Sequence, residues 1–260
     1  MTETSKREPP HEVLIGPGGT RLAYRRVVPA LGRRPGIVFL AGFASDMTGT
    51  KGVALEAWAR ERDQALLRFD YSGHGQSDGA FRDGTIGRWT EDALAVLDQL
   101  TQGPQILVGS SMGGWIMLLV ALARPQRVAG LVGIAAAPDF SEDLMWAQMQ
   151  ELTRTRLMSE GVILQPSRYQ DAPMEISRSL IEDGRRHLVL RSPIGIRCPV
   201  RLLHGMADPD VPWSTSVRLA ERLAGTDVTV TLIKDGDHRL SRDEDLQRMF
   251  AAVEELSRGA

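Results

Sequence analysis

The sequence predicts an α/β fold: a mostly parallel sheet, opened by an antiparallel hairpin and covered by helices on both faces. Three observations predict it. From residue 37 onward, apolar runs of strand length alternate with segments of helix length, the pattern of repeated β-α units. Several of these runs, such as residues 37–41 and 106–108, are continuously apolar rather than alternating, as strands buried on both faces are. Before them, residues 13–15 and 21–28 flank Gly16-Pro17-Gly18-Gly19, which reads as a hairpin turn. With 260 residues, 42% of them hydrophobic, the chain is long enough for one domain with a large core.

In chain order, residues 37–41 predict a strand, 53–62 a helix, 65–69 a strand and 90–100 a helix. Residues 105–108 predict the next strand, 115–123 a buried helix and 128–135 a strand. Residues 199–203 and 228–233 predict two further strands, separated by a helix over 214–223, and a last helix spans 244–256. The rhythm breaks between residues 139 and 192. There the pattern predicts a helix over 142–158, with Met145, Met149 and Leu152 on one face, an extended segment over 161–166 and a second helix over 174–182. The expected organisation is therefore a core of residues 1–138 and 193–260, with 1–10 as a flexible tail, and an inserted lid of residues 139–192. An insertion at this point lies above the carboxyl ends of the strands. Thioethers pack adaptably around varied apolar ligands, so Met145 and Met149, with Trp146 between them, are candidate substrate-binding residues. The alternative is a helical decoration with a small core of its own.

A net charge of −2 gives no field to draw nucleic acid or anionic lipid. A single cysteine, Cys198, can form neither an internal disulfide nor a cysteine metal cluster, and fits a reducing compartment. Residues 1–10 are polar and do not read as a secretory signal. No apolar run reaches bilayer-spanning length. These features lead to the expectation of a cytoplasmic protein without nucleic-acid or membrane-spanning partners. They leave the oligomeric state open.

The most informative stretch is Gly109-Ser110-Ser111-Met112-Gly113, which matches G-x-S-x-G between a predicted strand and a predicted helix. A serine in that context is a nucleophile elbow, a tight turn whose flanking side chains would clash unless they are glycines. Ser111 alone has glycine at both −2 and +2, so it is the nucleophile rather than Ser110. The amide of Met112 is left free to meet an oxyanion.

A serine hydroxyl needs a base within hydrogen-bond reach, and the base needs an orienting acid. Among five histidines, His11 lies in the polar leader, and His74 in a glycine-rich turn upstream that it is expected to tie together. His187 lies among charges, and His204 ends an apolar strand as a satisfied structural histidine. His238 follows the strand at 228–233 and precedes the last helix, the place expected for the base. Asp208, in His204-Gly205-Met206-Ala207-Asp208, is the preferred acid, with Asp210 as its rival. Asp237 adjoins His238 too closely to orient its ring. The second oxyanion donor is expected in the loop after the strand at 37–41, where Gly42 allows a turn and Phe43 supplies the N–H.

These residues together resemble the α/β-hydrolase superfamily over nearly the whole chain, including Asp70-x-x-Gly73-x-Gly75-x-Ser77. Longer strings, among them Arg68-Phe69-Asp70-Tyr71-Ser72-Gly73 and residues 104–111, 198–206 and 211–213, are similar to a narrower group. That group holds the mitochondrial palmitoyl-protein thioesterase, also described as mycophenolic acid acyl-glucuronide esterase. The resemblance implies a triad of Ser111, Asp208 and His238, and hydrolysis of acyl esters or thioesters, including acylated proteins, with no metal or organic cofactor. Carbon–carbon bond hydrolases and haloperoxidase-like enzymes keep the serine and remain alternatives, as does a ligand-binding receptor on a hydrolase scaffold.

Overall fold

A computed structural model describes residues 11–166 and 173–259. The expected tail, residues 1–10, lies outside the described residues, as does part of the insertion, residues 167–172. Strands β1 (Glu12–Ile15) and β2 (Arg21–Val27) form the predicted antiparallel hairpin, closed by a 3-10 turn over Pro17–Gly19 in which Gly18 has φ 64°.

The chain then alternates between strands and helices. β3 (Gly36–Leu40), α1 (Thr50–Glu61), β4 (Leu66–Phe69), α2 (Ile86–Leu100), β5 (Gln105–Ser110), α3 (Met112–Ala123) and β6 (Val128–Ile134) precede the insertion. The sheet has the order β1-β2-β4-β3-β5-β6 and continues with two strands from beyond residue 192. β2 runs antiparallel to β4, and all later pairings are parallel. β3, β4 and β5 are buried throughout, which accounts for the apolar runs at 37–40 and 106–108; Arg68 of β4 is buried as well and is paired with Glu56.

Opposite faces of β6 carry different helices. A side chain at Gly130 would meet Leu256, and one at Gly133, three residues on and so on the other face, would meet Leu202 and Met117 of α3. Helix α2 begins four residues earlier than its apolar pattern suggests, because the Thr85 hydroxyl accepts from the Arg88 N–H and caps it.

The insertion departs from expectation in two places. The long helix predicted over 142–158 is broken into a π-helical turn (Ser141–Trp146) and α4 (Glu151–Glu160). Arg154 donates to the carbonyls of Trp146 and Ala147 at 3.0 Å each, satisfying groups that a continuous helix would have bonded internally. Leu152, expected to continue the apolar face, is 72% exposed. The helix predicted over 174–182 is a strand followed by a helix. β7 (Val162–Gln165) pairs antiparallel with β8 (Met174–Ser177), and α5 (Arg178–Gly184) starts where the Ser177 hydroxyl accepts from Leu180 N–H. Strand pairing here overrides local helix propensity. Leu157, Ile163, Ile176 and Ile181 form a small core inside the insertion, and Phe43, Met145, Met149 and Met174 pack against it. At its base, buried Asp139 accepts from Val189 N–H (2.8 Å) and Leu190 N–H (3.0 Å), tying the two ends together.

β9 (Val200–Gly205) and β10 (Val228–Ile233) complete the sheet beyond β6, with α6 (Ser214–Arg222) between them, and α7 (Asp243–Arg258) ends the chain. Among the described residues, no helix is long and apolar enough to cross a membrane.

Candidate active site

Ser111 sits between β5 and α3 with φ 52° and ψ −117°, a conformation that L residues rarely adopt. Three backbone hydrogen bonds hold it there: Ser111 N–H to Ile134 O (2.9 Å), and Gly114 N–H (2.9 Å) and Ala137 N–H (3.0 Å) to Ser111 O. The flanking glycines answer to specific contacts. A Cβ at Gly109 would lie 2.4 Å from Gly113 O, and one at Gly113 would lie 2.0 Å from Leu40 O. The second distance sets how closely α3 approaches β3. Gly113→Ala should therefore force helix and strand apart and lower stability by roughly 1–3 kcal/mol. A fall in melting temperature together with lost activity, measured by calorimetry and ester turnover, is the expected result.

His238 reaches Ser111 from the loop after β10, and its Nε2 lies 3.1 Å from Ser111 Oγ. Its Nδ1 lies 2.7 Å from Asp208 Oδ2. A carboxylate can only accept, so Nδ1 carries the proton and Nε2 is free to take one from the serine; this tautomer is assigned from its partners. Asp208 is held in the loop after β9. Its other oxygen accepts from Asp210 N–H (2.8 Å) and Val211 N–H (2.9 Å), and its side chain is wholly buried. Burial alone would raise its pKa. Hydrogen bonds from His204 and His238 outweigh that and hold the carboxyl well below the ordinary carboxylate range. The carboxylate on Nδ1 is thus that of Asp208, whereas Asp210 lines a cavity nearby. The Asp237 carboxylate accepts from Leu240 N–H and braces its own loop.

The Asp208 and His238 loops are pressed together at a glycine. A Cβ at Gly205 would lie 2.2 Å from Gly236 O, and Ala207 N–H donates to that same carbonyl at 3.0 Å. The spacing between acid and base is therefore fixed by backbone contact as well as by the side-chain bond.

Met112 is the first residue of α3, so its N–H has no carbonyl one turn back to satisfy it. Gly42 lies directly against the serine, since a Cβ there would be 3.4 Å from Ser111 Cβ. The two residues expected to donate to an oxyanion, Phe43 and Met112, thus flank Ser111. The Phe43 ring packs edge-on to Phe81 and Trp89.

Two cavities meet at the serine, and Phe43, Ser111, Met174 and His238 line both. The first, about 410 Å³, has an apolar wall of Phe140, Leu144, Met145, Met149 and Val211, with Gln148, Gln165 and Asp210 beside it. The second, about 310 Å³, is polar and includes Thr50, Lys51, Arg239 and Ser241. Met145 and Met149 therefore stand where the sequence suggested. Trp146 does not line the cavity. It packs against the insertion's small core, with the guanidinium groups of Arg154 and Arg185 at 5.3 and 4.6 Å from its ring. Neighbouring residues of a helical turn point in different directions, so Trp146 is directed away from the cavity wall that Met145 joins. Lys51 escaped the sequence reading, for it belongs to no motif. Burial, with Arg239 nearby, pushes its ammonium down to about 8.

Three further histidines lie outside the relay. His74 is buried among Tyr71, Phe81 and Trp89, and burial pushes its pKa down to about 4. His187 lies 3.5 Å from Asp183, and His11 is exposed. Among the described residues, one group brings metal-ligating atoms within 4.8 Å of one another: Asp208, Asp210 and His238. Both imidazole nitrogens there are already engaged, one by Ser111 and one by Asp208, so the cluster suits proton transfer rather than metal binding.

Known proteins resemble this chain in sequence and fold. The alpha/beta hydrolase fold model matches residues 37–162. The mitochondrial palmitoyl-protein thioesterase ABHD10 of Bos taurus is 44% identical over 244 residues, 94% of this chain and 78% of the relative. The chain belongs to the α/β-hydrolase family. The Homo sapiens ABHD10 is 42% identical over 90% of this chain and 76% of its own length. Among solved structures, a putative hydrolase from Agrobacterium vitis S4 superposes with a TM-score of 0.90 at 43% identity, covering 96% of this chain and 100% of that one. Mouse ABHD10 superposes with a TM-score of 0.86 at 40% identity, covering 95% and 98%. The chain is accordingly a hydrolase, and its fold is the one that the sequence predicts.

Proposed function

We propose that this protein cleaves ester or thioester bonds of apolar acyl groups through an acyl-enzyme on Ser111. The observation that carries the reading is the relay Ser111 Oγ–His238 Nε2–His238 Nδ1–Asp208 Oδ2, at 3.1 and 2.7 Å, opening onto a cavity with Phe140, Leu144, Met145 and Met149 in its wall. The relatives' name supports the same acyl chemistry.

Ser111 Oγ attacks the acyl carbon while its proton passes to His238 Nε2. The oxyanion of the tetrahedral intermediate accepts from the Met112 and Phe43 amides. The bond to the leaving oxygen or sulfur then breaks, and that atom takes the proton from Nε2. Water, deprotonated by His238, attacks the acyl-serine, and the carboxylic acid leaves with Ser111 regenerated. The Asp208 carboxylate stays ionised throughout and stabilises the imidazolium. The first cavity holds the acyl chain along its apolar wall, and the one beside Lys51 receives the leaving group. The insertion over residues 139–192 acts as a lid that supplies Met145 and Met149 to the acyl wall.

A fluorophosphonate probe tests the reading. Covalent labelling at Ser111, absent in Ser111→Ala, supports it; folded protein that stays unlabelled contradicts it. Ranking p-nitrophenyl esters of increasing chain length, palmitoyl thioesters and an acyl glucuronide by kcat/KM then gives the acyl and leaving-group preference. Met145→Ala and Met149→Ala should each raise KM for long-chain esters, and not for acetate, by about 5–30-fold for roughly 1–2 kcal/mol of lost apolar contact. A change in melting temperature alone would instead assign both methionines to packing.

A further inference from the structure

The Asp208 oxygen that holds His238 has a second histidine beside it. His204, at the end of β9, is fully buried, and its Nε2 lies 3.3 Å from Asp208 Oδ2 and 3.0 Å from Val211 O. Its Nδ1 lies 2.7 Å from the hydroxyl of Ser216, in α6 and also fully buried. Two acceptors face Nε2, so Nε2 must carry the proton, and the Ser216 hydroxyl must donate to the bare Nδ1. His204 therefore donates toward the same carboxylate oxygen that accepts from His238.

We infer that His204, fixed in one tautomer by Ser216, is a positioning residue that sets the basicity of His238 through Asp208. The inference rests on the proposed triad, in which His238 is the base. An N–H directed at Oδ2 draws on the electron density offered to His238 Nδ1–H. Asp208 then stabilises the His238 imidazolium less than an unshared carboxylate would. Packing alone does not require this arrangement, since a strand-end residue could fill the space without a donor aimed at the triad.

The sign follows directly. Removing the His204 N–H strengthens Asp208 as an acceptor for His238 and raises the pKa of His238. Activity needs the neutral imidazole, so the acidic limb of kcat/KM moves to higher pH. The other ionisable groups around His238 stay in place: Asp210, with a carboxylate oxygen within 4.8 Å of the ring, Asp237 and Arg239 on its own loop, and Lys51 of α1, which donates to Arg239 O.

The test compares wild type with His204→Phe, His204→Gln and Ser216→Ala. It reads the His238 ring by NMR titration of histidine-labelled protein, and the acidic limb of kcat/KM for a p-nitrophenyl ester. His204→Phe should raise both by roughly half a unit to one unit. His204→Gln, whose amide can still donate to Asp208, should restore most of the wild-type value. Ser216→Ala leaves His204 in place, keeps the protein folded if His204→Phe does not, and should shift both readouts the same way by less. Unmoved NMR and rate profiles in folded variants would overturn the inference. An NMR shift that the rate profile does not follow would leave this coupling standing and instead count against His238 as the base.

Discussion

Ser111→Ala should lower kcat about a million-fold, the scale seen when a member of a working triad is removed, while the melting temperature should stay close to wild type. The size of the effect follows from what the hydroxyl does. Without Oγ there is no acyl-enzyme, and only the oxyanion donors and substrate binding remain to assist a water. The fold should not suffer. The turn at Ser111 is held by backbone hydrogen bonds to Ile134 and Ala137, and alanine can occupy the same strained φ at no greater cost than serine does. Adding His238→Ala to Ser111→Ala should cost little more, since the two residues act as one unit. A double variant whose losses multiply would show that His238 and Ser111 act independently. Single-turnover kinetics on a p-nitrophenyl ester, with calorimetry on the same samples, read both quantities.

Asp208→Asn should lower kcat about ten-thousand-fold with folding preserved. Asparagine is nearly isosteric, and its carbonyl can keep accepting from the Asp210 and Val211 amides. Its NH2 then faces His238 and His204. The ring of His238 must turn its bare nitrogen toward that donor and its N–H toward Ser111, the tautomer that cannot take the serine proton. Asp210→Asn removes a carboxylate that does not hold Nδ1, and kcat should change by no more than a few-fold. If Asp210→Asn gave the large loss, the assignment of the acid would fail. Because the Asp208 carboxyl is held well below the ordinary carboxylate range, its protonation should not shape the acidic limb of the wild-type rate profile.

The parts of this molecule most legible in its sequence are those where local pattern and tertiary demand coincide. Residues 37–40 of β3 and 106–108 of β5 are continuously apolar because both faces are covered, and glycine stands at 109 and 113 because backbone occupies the space a side chain would need. The placement of Ser111, His238 and Asp208 was readable because each stands at the carboxyl end of a recognisable strand. The insertion was less legible. Strand β8 forms only through its pairing with β7, and the helix expected over 142–158 breaks where Arg154 takes up the carbonyls of Trp146 and Ala147. Neither event leaves a periodic signature. Trp146 was drawn toward the cavity by its neighbours in sequence, whereas the π-helical turn sends it to the insertion's own core. His204 reads as an ordinary buried histidine in the sequence. Its contact with Asp208 depends on a loop that turns back on itself four residues later.

The account turns on a covalent intermediate at one oxygen, and mass spectrometry of the acid-quenched enzyme observes it directly. Enzyme mixed with a p-nitrophenyl ester and quenched during the pre-steady-state burst should carry one acyl group, located by peptide mapping on Ser111, and Asp208→Asn should form it far more slowly. Full turnover with no adduct under those conditions, or an adduct on a residue other than Ser111, would contradict the account.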